Sequence, residues 1–396
     1  MRRALPALAL AAALLCPLPA AAEDVAGPHM PATRQPAPFD IIRSLQFLQD
    51  QVSRGNDRAI RVQALLLRRF GPVFQEAEGG VWDDARNRRA AVLFTLSGGP
   101  PDVLRQLLAS GRLPEAQRPL FEGALAYVTN DLKRAETLFG SLDLSAEEPG
   151  LAAHLHLVLG QIKQIDDPVR AVEHLDRARL LAPGGLIEEA ALRLQAMLVD
   201  GLGEHERADR LARQYFDRYS RSSYAGNFEA RFAAIQSSRG AGDPDAAART
   251  MDEVVAGLPE ERRGPIYLAV SRRALLEGNL EFARLTAERA LAIAALDGPA
   301  AERARLYDLA ATLSSRPEAD VRQALATVSR DRLQPEDVAL FDAAGEVLAA
   351  IRKPLSDLRG PVLPAAEAAA ETPSVVVERA ERILSETASD LTSAVR

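Results

Sequence analysis

The chain has 396 residues, of which 47% are hydrophobic and 5% aromatic, and its 48 basic and 55 acidic residues give a formal net charge of −7. The two signs of charge are interspersed, which argues against nucleic acid or an anionic membrane surface as a partner. The single cysteine, Cys16, lies in the N-terminal apolar run. A mature chain without that run therefore has no disulfide, no thiol chemistry and no thiolate metal site.

The N-terminus has the pattern of an export signal. A basic start, Met1-Arg2-Arg3, precedes an apolar run over 4–18 that is too short to span a bilayer, and small residues continue up to Ala22. We expect a signal peptide over 1–22, cleavage after about Ala22, and no membrane span in the mature form. An uncleaved anchor and a lipid anchor on Cys16 are the alternatives.

The next part of the chain is predicted to be a leader and an irregular helical region. Residues 23–38 are proline-rich without an apolar period, which predicts a flexible leader. Apolar residues at helical spacing over 39–113 predict an N-terminal helical region, either a cap on a longer helical array or a small domain of its own. Gly55-Asn56 is expected to end its first helix, and Gly71-Pro72 to break its second.

A repeat organises the middle of the chain. The same pattern occurs in five places. A residue suited to ending a helix is followed by a polar residue, and an alanine lies four positions after the polar residue. The alanines are 36, 37, 39 and 36 residues apart: Ala135, Ala171, Ala208, Ala247 and Ala283. This period is typical of stacked helical hairpins of the tetratricopeptide type. We therefore predict an all-α fold, an α-solenoid of tetratricopeptide-like repeats with a period of about 36 over 114–352.

Each position of the repeat has a physical role. The polar residue is expected to cap the second helix of its hairpin, with Glu204 the weakest of the five caps. The alanine lets the paired helix approach closely. First helices are predicted over 115–129, 150–164, 186–202, 223–240 and 260–277. After them we predict a degenerate sixth pair and one helix starting at Pro335, then a Pro/Ala-rich linker over 353–372 and a C-terminal amphipathic helix over 373–396.

A solenoid of this kind exposes a concave face made from the first helices. By analogy of fold, that face is expected to bind an extended peptide or a partner's helix.

The sequence carries no pattern of an enzyme, a cofactor site or a metal site. His154 and His156 are two apart, which puts them on different faces of a helix. One of Asp83-Asp84 is expected to cap a helix rather than act in catalysis, and Glu188-Glu189, at a helix start, are expected to be solvated. Gly201-Leu202-Gly203 lacks the third glycine of a nucleotide fingerprint. We therefore predict a protein that is not an enzyme.

Two patches lie outside the repeat pattern and combine aromatic residues with arginine, the residues that most often anchor interfaces. The first surrounds the only tryptophan, and the second spans the turn over 215–228. The alternative is that the aromatics fill the seams between hairpins. The partner-binding candidates are Trp82, Arg86, Arg218, Arg221, Tyr224 and Asn227.

Three stretches carry a resemblance to a known family. They are Val81-Trp82-Asp83-Asp84-Ala85-Arg86-Asn87 with Ser97-Gly98-Gly99, the run 180–193 (LLAPGGLIEEAALR), and Tyr224-Ala225-Gly226-Asn227-Phe228 with Arg231-Phe232. Together they resemble the MotC family, periplasmic flagellar-motor proteins of rhizobia and related alphaproteobacteria, over roughly residues 38–350.

The resemblance implies an exported, periplasmic, non-enzymatic protein that motor rotation needs. It implies a partner, the periplasmic part of the stator subunit MotB, and help from a dedicated chaperone, MotE. It transfers no individual binding residue. A general periplasmic helical-repeat scaffold in cell-envelope assembly is the alternative. A lytic transglycosylase would need a catalytic domain with a general-acid glutamate, and only about 43 residues come after Lys353.

Overall fold

A computed structural model describes residues 36–351, and this part of the chain is all-helical, with seventeen α-helices, three short 3-10 segments and no strand. The all-α prediction is confirmed, and the architecture is consistent with a helical-repeat solenoid. The predicted signal peptide, most of the leader, the linker and the C-terminal helix lie outside the described residues. Between 36 and 351, no helix has the length and apolar character that crossing a bilayer requires.

The first four helices are α1 (Pro38–Ser53), α2 (Asp57–Gln75), α3 (Ala85–Leu96) and α4 (Asp102–Ala109), with a 3-10 segment at Gly79–Asp83. The predicted break at Gly71-Pro72 is wrong, because α2 continues through both residues to Gln75. The proline removes only one helical hydrogen bond. The last turn is held by packing instead: the ring of Phe74 stacks on that of Phe94 with centroids 4.2 Å apart.

Three helical hairpins come next along the chain. They are α5 (Arg118–Val128) with α6 (Leu132–Gly140), α7 (Pro149–Lys163) with α8 (Pro168–Leu181), and α9 (Leu186–Gly201) with α10 (His205–Tyr219). One hydrophobic core extends from Ile41 to Leu159. It therefore joins the N-terminal helices to the first hairpins across residues 113 and 114.

The chain divides into two compact units, one up to Ala225 and one from Gly226. The second unit contains most of α11 (Ala225–Gly240) and the six helices after it. Those six are α12 (Pro244–Val255), α13 (Glu260–Leu276), α14 (Leu280–Leu291), α15 (Gly298–Thr312), α16 (Glu318–Thr327) and α17 (Pro335–Ile351).

The caps of the repeat behave as their chemistry predicts. The carboxylates of Asp131, Asp167 and Asp243 each accept a backbone N–H bond from the residue three positions on, at 3.3, 3.1 and 2.9 Å. Glu204, expected to be the weakest cap, forms no such bond. Asn279 does not cap either, because its amide donates to a carbonyl of α11 at 2.9 Å.

The repeat alanines are buried, as their role in helix approach requires. The approach also depends on small residues in the first helix, a position that the predicted repeat did not include. At Gly160 of α7, an added Cβ would lie 2.8 Å from the side chain of Leu175 on α8. The two helices of this hairpin therefore come together only because residue 160 has no side chain.

In the first unit, α1 covers part of α9, which is a first helix. It packs on α3 and also contacts α9. The last turn of α1 is tied to the segment after α10, since Ser223 N donates to Val52 O at 3.1 Å. The carbonyl of Arg221 lies so close to Gly55 (φ +94°) that a Cβ there would be 2.3 Å from its oxygen. Part of the surface of α9 is therefore occupied by α1.

Candidate partner-binding site

The turn around Trp82 is a structural element. The side chain of Trp82 is 4% exposed and belongs to the hydrophobic core. Asn87 of α3 donates its side-chain amide to Val81 O at 2.8 Å and accepts from Phe39 N at 3.1 Å. The guanidinium of Arg88 donates to Trp82 O at 2.6 Å. A partner therefore cannot reach the indole, and the hydrogen bonds of this turn fix α1 and α3 to each other.

Asp84 caps α3, as expected for one of the two aspartates. Its carboxylate accepts from Arg86 N at 2.8 Å. The guanidinium of Arg86 pairs with the same carboxylate at 2.7 Å and lies over the ring of Phe39, 4.6 Å from its centroid. These hydrogen bonds hold the pKa of Asp84 below its usual range. Arg86 is exposed, but its charge is already paired.

Glu188 and Glu189 are not solvated, which corrects the expectation for this pair. They are 2% and 0% exposed. Glu188 accepts from Gly184 N at 2.6 Å, from the Tyr219 hydroxyl at 2.8 Å and from the Arg218 guanidinium at 2.5 Å. Sequence reasoning placed the pair only at a helix start. It missed that α10 packs over the first turn of α9 and supplies the partners.

Glu189 takes a second set of partners. The hydroxyl of Tyr215 donates to its carboxylate at 2.6 Å, and Arg193 pairs with it at 3.5 Å. Burial raises the pKa of Glu189 above its ordinary value. Arg193 also lies over the ring of Tyr224, 5.1 Å from its centroid. The half-buried Tyr224 thus shields this charged cluster.

A cavity of about 960 Å³ opens at Glu188, with walls from α7, α8, α9 and α10. Its basic lining residues are Arg170, Arg177, Arg179 and Arg218. Its acidic lining residues are Glu173, Asp176 and Glu188. Leu180 and Pro183 supply apolar surface, and His156 and His174 line one side.

Most charges of the cavity wall are paired with one another. Arg170 pairs with Glu173 at 3.0 Å, and Arg179 pairs with Asp176 at 3.4 Å. Arg218 pairs with the buried Glu188. Arg177 forms no ion pair with any residue between 36 and 351. It is the cation of this wall that remains available.

The two histidines of the wall form a pair. Nδ1 of His156 lies 2.9 Å from Nδ1 of His174, so one ring must donate and the other must accept. Burial, with the neighbouring charges of His174 and Arg177, lowers the pKa of His156 to about 4. In the described ranges, no group of three or more His, Cys, Asp or Glu is placed to hold a metal ion.

The structure separates the predicted candidates. Arg218 lines the cavity and Tyr224 lies under Arg193. Arg221 is exposed after α10 and has no ion pair in the described part of the chain. Asn227 is exposed on α11 in the second unit.

Sequence reasoning missed Arg177 and Leu180 of α8. They lie on one helical face with Arg170, Glu173 and His174, because residues three and four apart are neighbours on a helix. A charged stripe at that spacing was the available signal.

The third stretch of the resemblance is structural as well. The rings of Phe228 and Phe232 stack in the second unit with centroids 6.3 Å apart and an interplanar angle of 23°. Both side chains are buried. The motif therefore supports the packing of α11.

Fold and site together define a helical-repeat protein with a cavity lined mainly by charged side chains. Within that class, the chain belongs to the MotC family: the family model described as "Chemotaxis protein MotC" matches residues 1–395. It is also 31% identical over 356 residues to the chemotaxis protein MotC of Rhizobium meliloti (strain 1021), an alignment that covers 88% of this chain and 77% of that relative. The resemblance seen in the sequence is confirmed, and a motility-related function is supported.

Proposed function

We propose that this protein is a non-enzymatic accessory of the flagellar motor that acts in the periplasm. It binds the periplasmic part of the stator subunit MotB and so supports motor rotation. The observation that carries the proposal is membership of the MotC family along nearly the whole chain. The N-terminal export pattern supports the compartment.

The described helices support a binding role. The helices pair through buried contacts, and the cavity beside α8 offers charged and apolar groups on one surface. A scaffold changes a stator only if it binds one stator conformation better than another, since equal affinity for both would shift nothing. The proposal therefore assigns to this protein a preference for the stator conformation that is active.

A gene deletion tests the motor role. We expect deletion to leave flagella assembled and cells non-motile, with swimming restored by the wild-type gene on a plasmid. A deletion strain that swims like its parent would contradict the proposal.

A pull-down tests the partner and the compartment. The mature protein, isolated from the periplasmic fraction, should recover MotB, and its yield should fall in a strain that lacks the proposed chaperone MotE. Recovery of outer-membrane assembly factors without MotB would instead favour a general envelope scaffold. Recovery of the protein only from the cytosolic fraction would contradict both.

A further inference from the structure

We propose that the cavity beside α8 binds an acidic segment of a partner polypeptide, with Arg177 as its anchoring cation. This inference rests on the proposed function, because it names the surface and the chemistry by which a stator segment would be held.

The charge of the cavity wall carries the first step. Four arginines face three carboxylates, and each carboxylate has an arginine partner. Asp176 has a second one, because Arg207 lies 2.9 Å from it. The unmatched charge of the wall is the positive charge of Arg177. It contrasts with the net charge of the whole chain, which is −7. The exposed guanidinium of Arg177 favours an entering carboxylate over any other common side chain.

A second unused donor lies in the same wall. The terminal nitrogens of Arg179 donate to Gln195 at 2.7 Å and to Gln214 at 2.6 Å. Its Nε is buried and has no hydrogen-bond partner. A buried N–H without an acceptor costs free energy. Both unused groups of the wall are thus donors, and the one that is exposed to an entering ligand, the guanidinium of Arg177, is complemented by a ligand rich in acceptors.

The rim of the cavity favours a polypeptide over a free anion. Leu180, three residues after Arg177 on the same face of α8, has 73% of its surface exposed, and Pro183 lies beside it. A small anion has nothing to bury against these side chains. A segment in which an acidic residue neighbours an apolar one would satisfy Arg177 and cover Leu180 together.

The test measures binding to the full mature chain by fluorescence anisotropy. One probe is the purified periplasmic part of MotB, and the other is a labelled peptide in which glutamates and leucines alternate. We expect Arg177→Glu to weaken both by about tenfold or more, equivalent to about 1.4 kcal/mol. Higher ionic strength should weaken the wild type more than the variant.

Two matched variants sharpen the measurement. Arg61→Glu makes the same charge change on α2, at an exposed arginine without an ion pair in the described part of the chain, and should stay within about twofold of wild type. Glu173→Gln releases Arg170 from its ion pair and should strengthen binding. A peptide with lysine in place of glutamate should not bind.

The outcomes separate the inference from the proposed function. If MotB binds wild type and Arg177→Glu equally, and the acidic peptide does not bind, the inference is overturned while the motor role stands. If the acidic peptide binds through Arg177 but MotB does not bind, the chemistry of the cavity is supported and the stator as partner is contradicted. Equal losses in Arg177→Glu and Arg61→Glu would overturn the inference, because a general charge effect would explain both.

Discussion

The turn around Trp82 and the cavity beside α8 have similar residues and different roles. Both contain arginines close to carboxylates. At the turn, Arg86 is paired with Asp84, and Arg88 donates to the carbonyls of Trp82 and Asp83. At the cavity, the other three arginines pair with the three carboxylates of the wall, and Arg177 has no ion pair with any residue between 36 and 351. An arginine that reaches backbone carbonyls of its own turn stabilises the fold, whereas one that finds every nearby carboxylate already paired is available to a ligand.

The largest effect is expected at the turn. Trp82→Ala should lower the free energy of unfolding by about 3–5 kcal/mol, because it leaves a cavity in the N-terminal core. Chemical denaturation followed by circular dichroism measures the change. Arg86→Ala, in the same turn, is the control and should lower the free energy of unfolding far less, since its ion pair is exposed. A stable Trp82→Ala protein that no longer binds MotB would reverse the assignment of this turn.

A smaller loss is expected for the amide that holds the turn in place. Asn87→Ala should cost about 1–3 kcal/mol, because Val81 O and Phe39 N lose their partner in a buried setting. The matched control is Asn56→Ala, since the exposed Asn56 forms no side-chain cap bond before α2. Equal unfolding midpoints for the two variants in urea would show that the turn does not depend on Asn87.

The smallest effect is expected at the cavity, as a dependence on pH. The pKa of His156 is lowered to about 4 in the folded chain, mainly by burial, against an ordinary value of about 6.5. The unfolded chain therefore takes up a proton at this histidine more readily than the folded chain does. The contribution of this histidine to the stability of the fold is accordingly complete above pH 6.5 and is lost as the pH falls from 6.5 through 4.

His156→Gln should therefore lose less stability than wild type over that range. The difference should be on the order of 1 kcal/mol, since the ring is only half-buried and solvent screens it. Thermal melting at successive pH values measures both proteins, and parallel wild-type and His156→Gln profiles would contradict the assignment.

The success of the sequence-based predictions depended on how local each interaction is. Asp131, Asp167 and Asp243 cap their own helices, so spacing alone identified them. The burial of Glu188 depends on side chains of α10, thirty positions further along. The contact between α1 and α9 joins still more distant segments. Neither of these two interactions can be predicted from a repeat period, because the period describes only a hairpin and its neighbour along the chain.

The candidate site divides in the same way. Arg218 was found because it lies in a stretch of visibly unusual composition. Arg177 was missed because its environment is set by residues of four helices, while its own segment is an ordinary charged helix. Whether an arginine is paired depends on the carboxylates that the fold brings near it, and sequence spacing gives only those on the same helix.

The most direct test of the account is photocrosslinking in living cells from three positions. A photoreactive residue replaces Leu180 or Arg221, so that Arg177 is kept, and in the matched control it replaces Arg86, which is exposed at the Trp82 turn. We expect positions 180 and 221 to yield adducts with the periplasmic part of MotB, with the crosslink from 180 next to acidic residues, and position 86 to yield none. Stator adducts from position 86 alone would contradict the account.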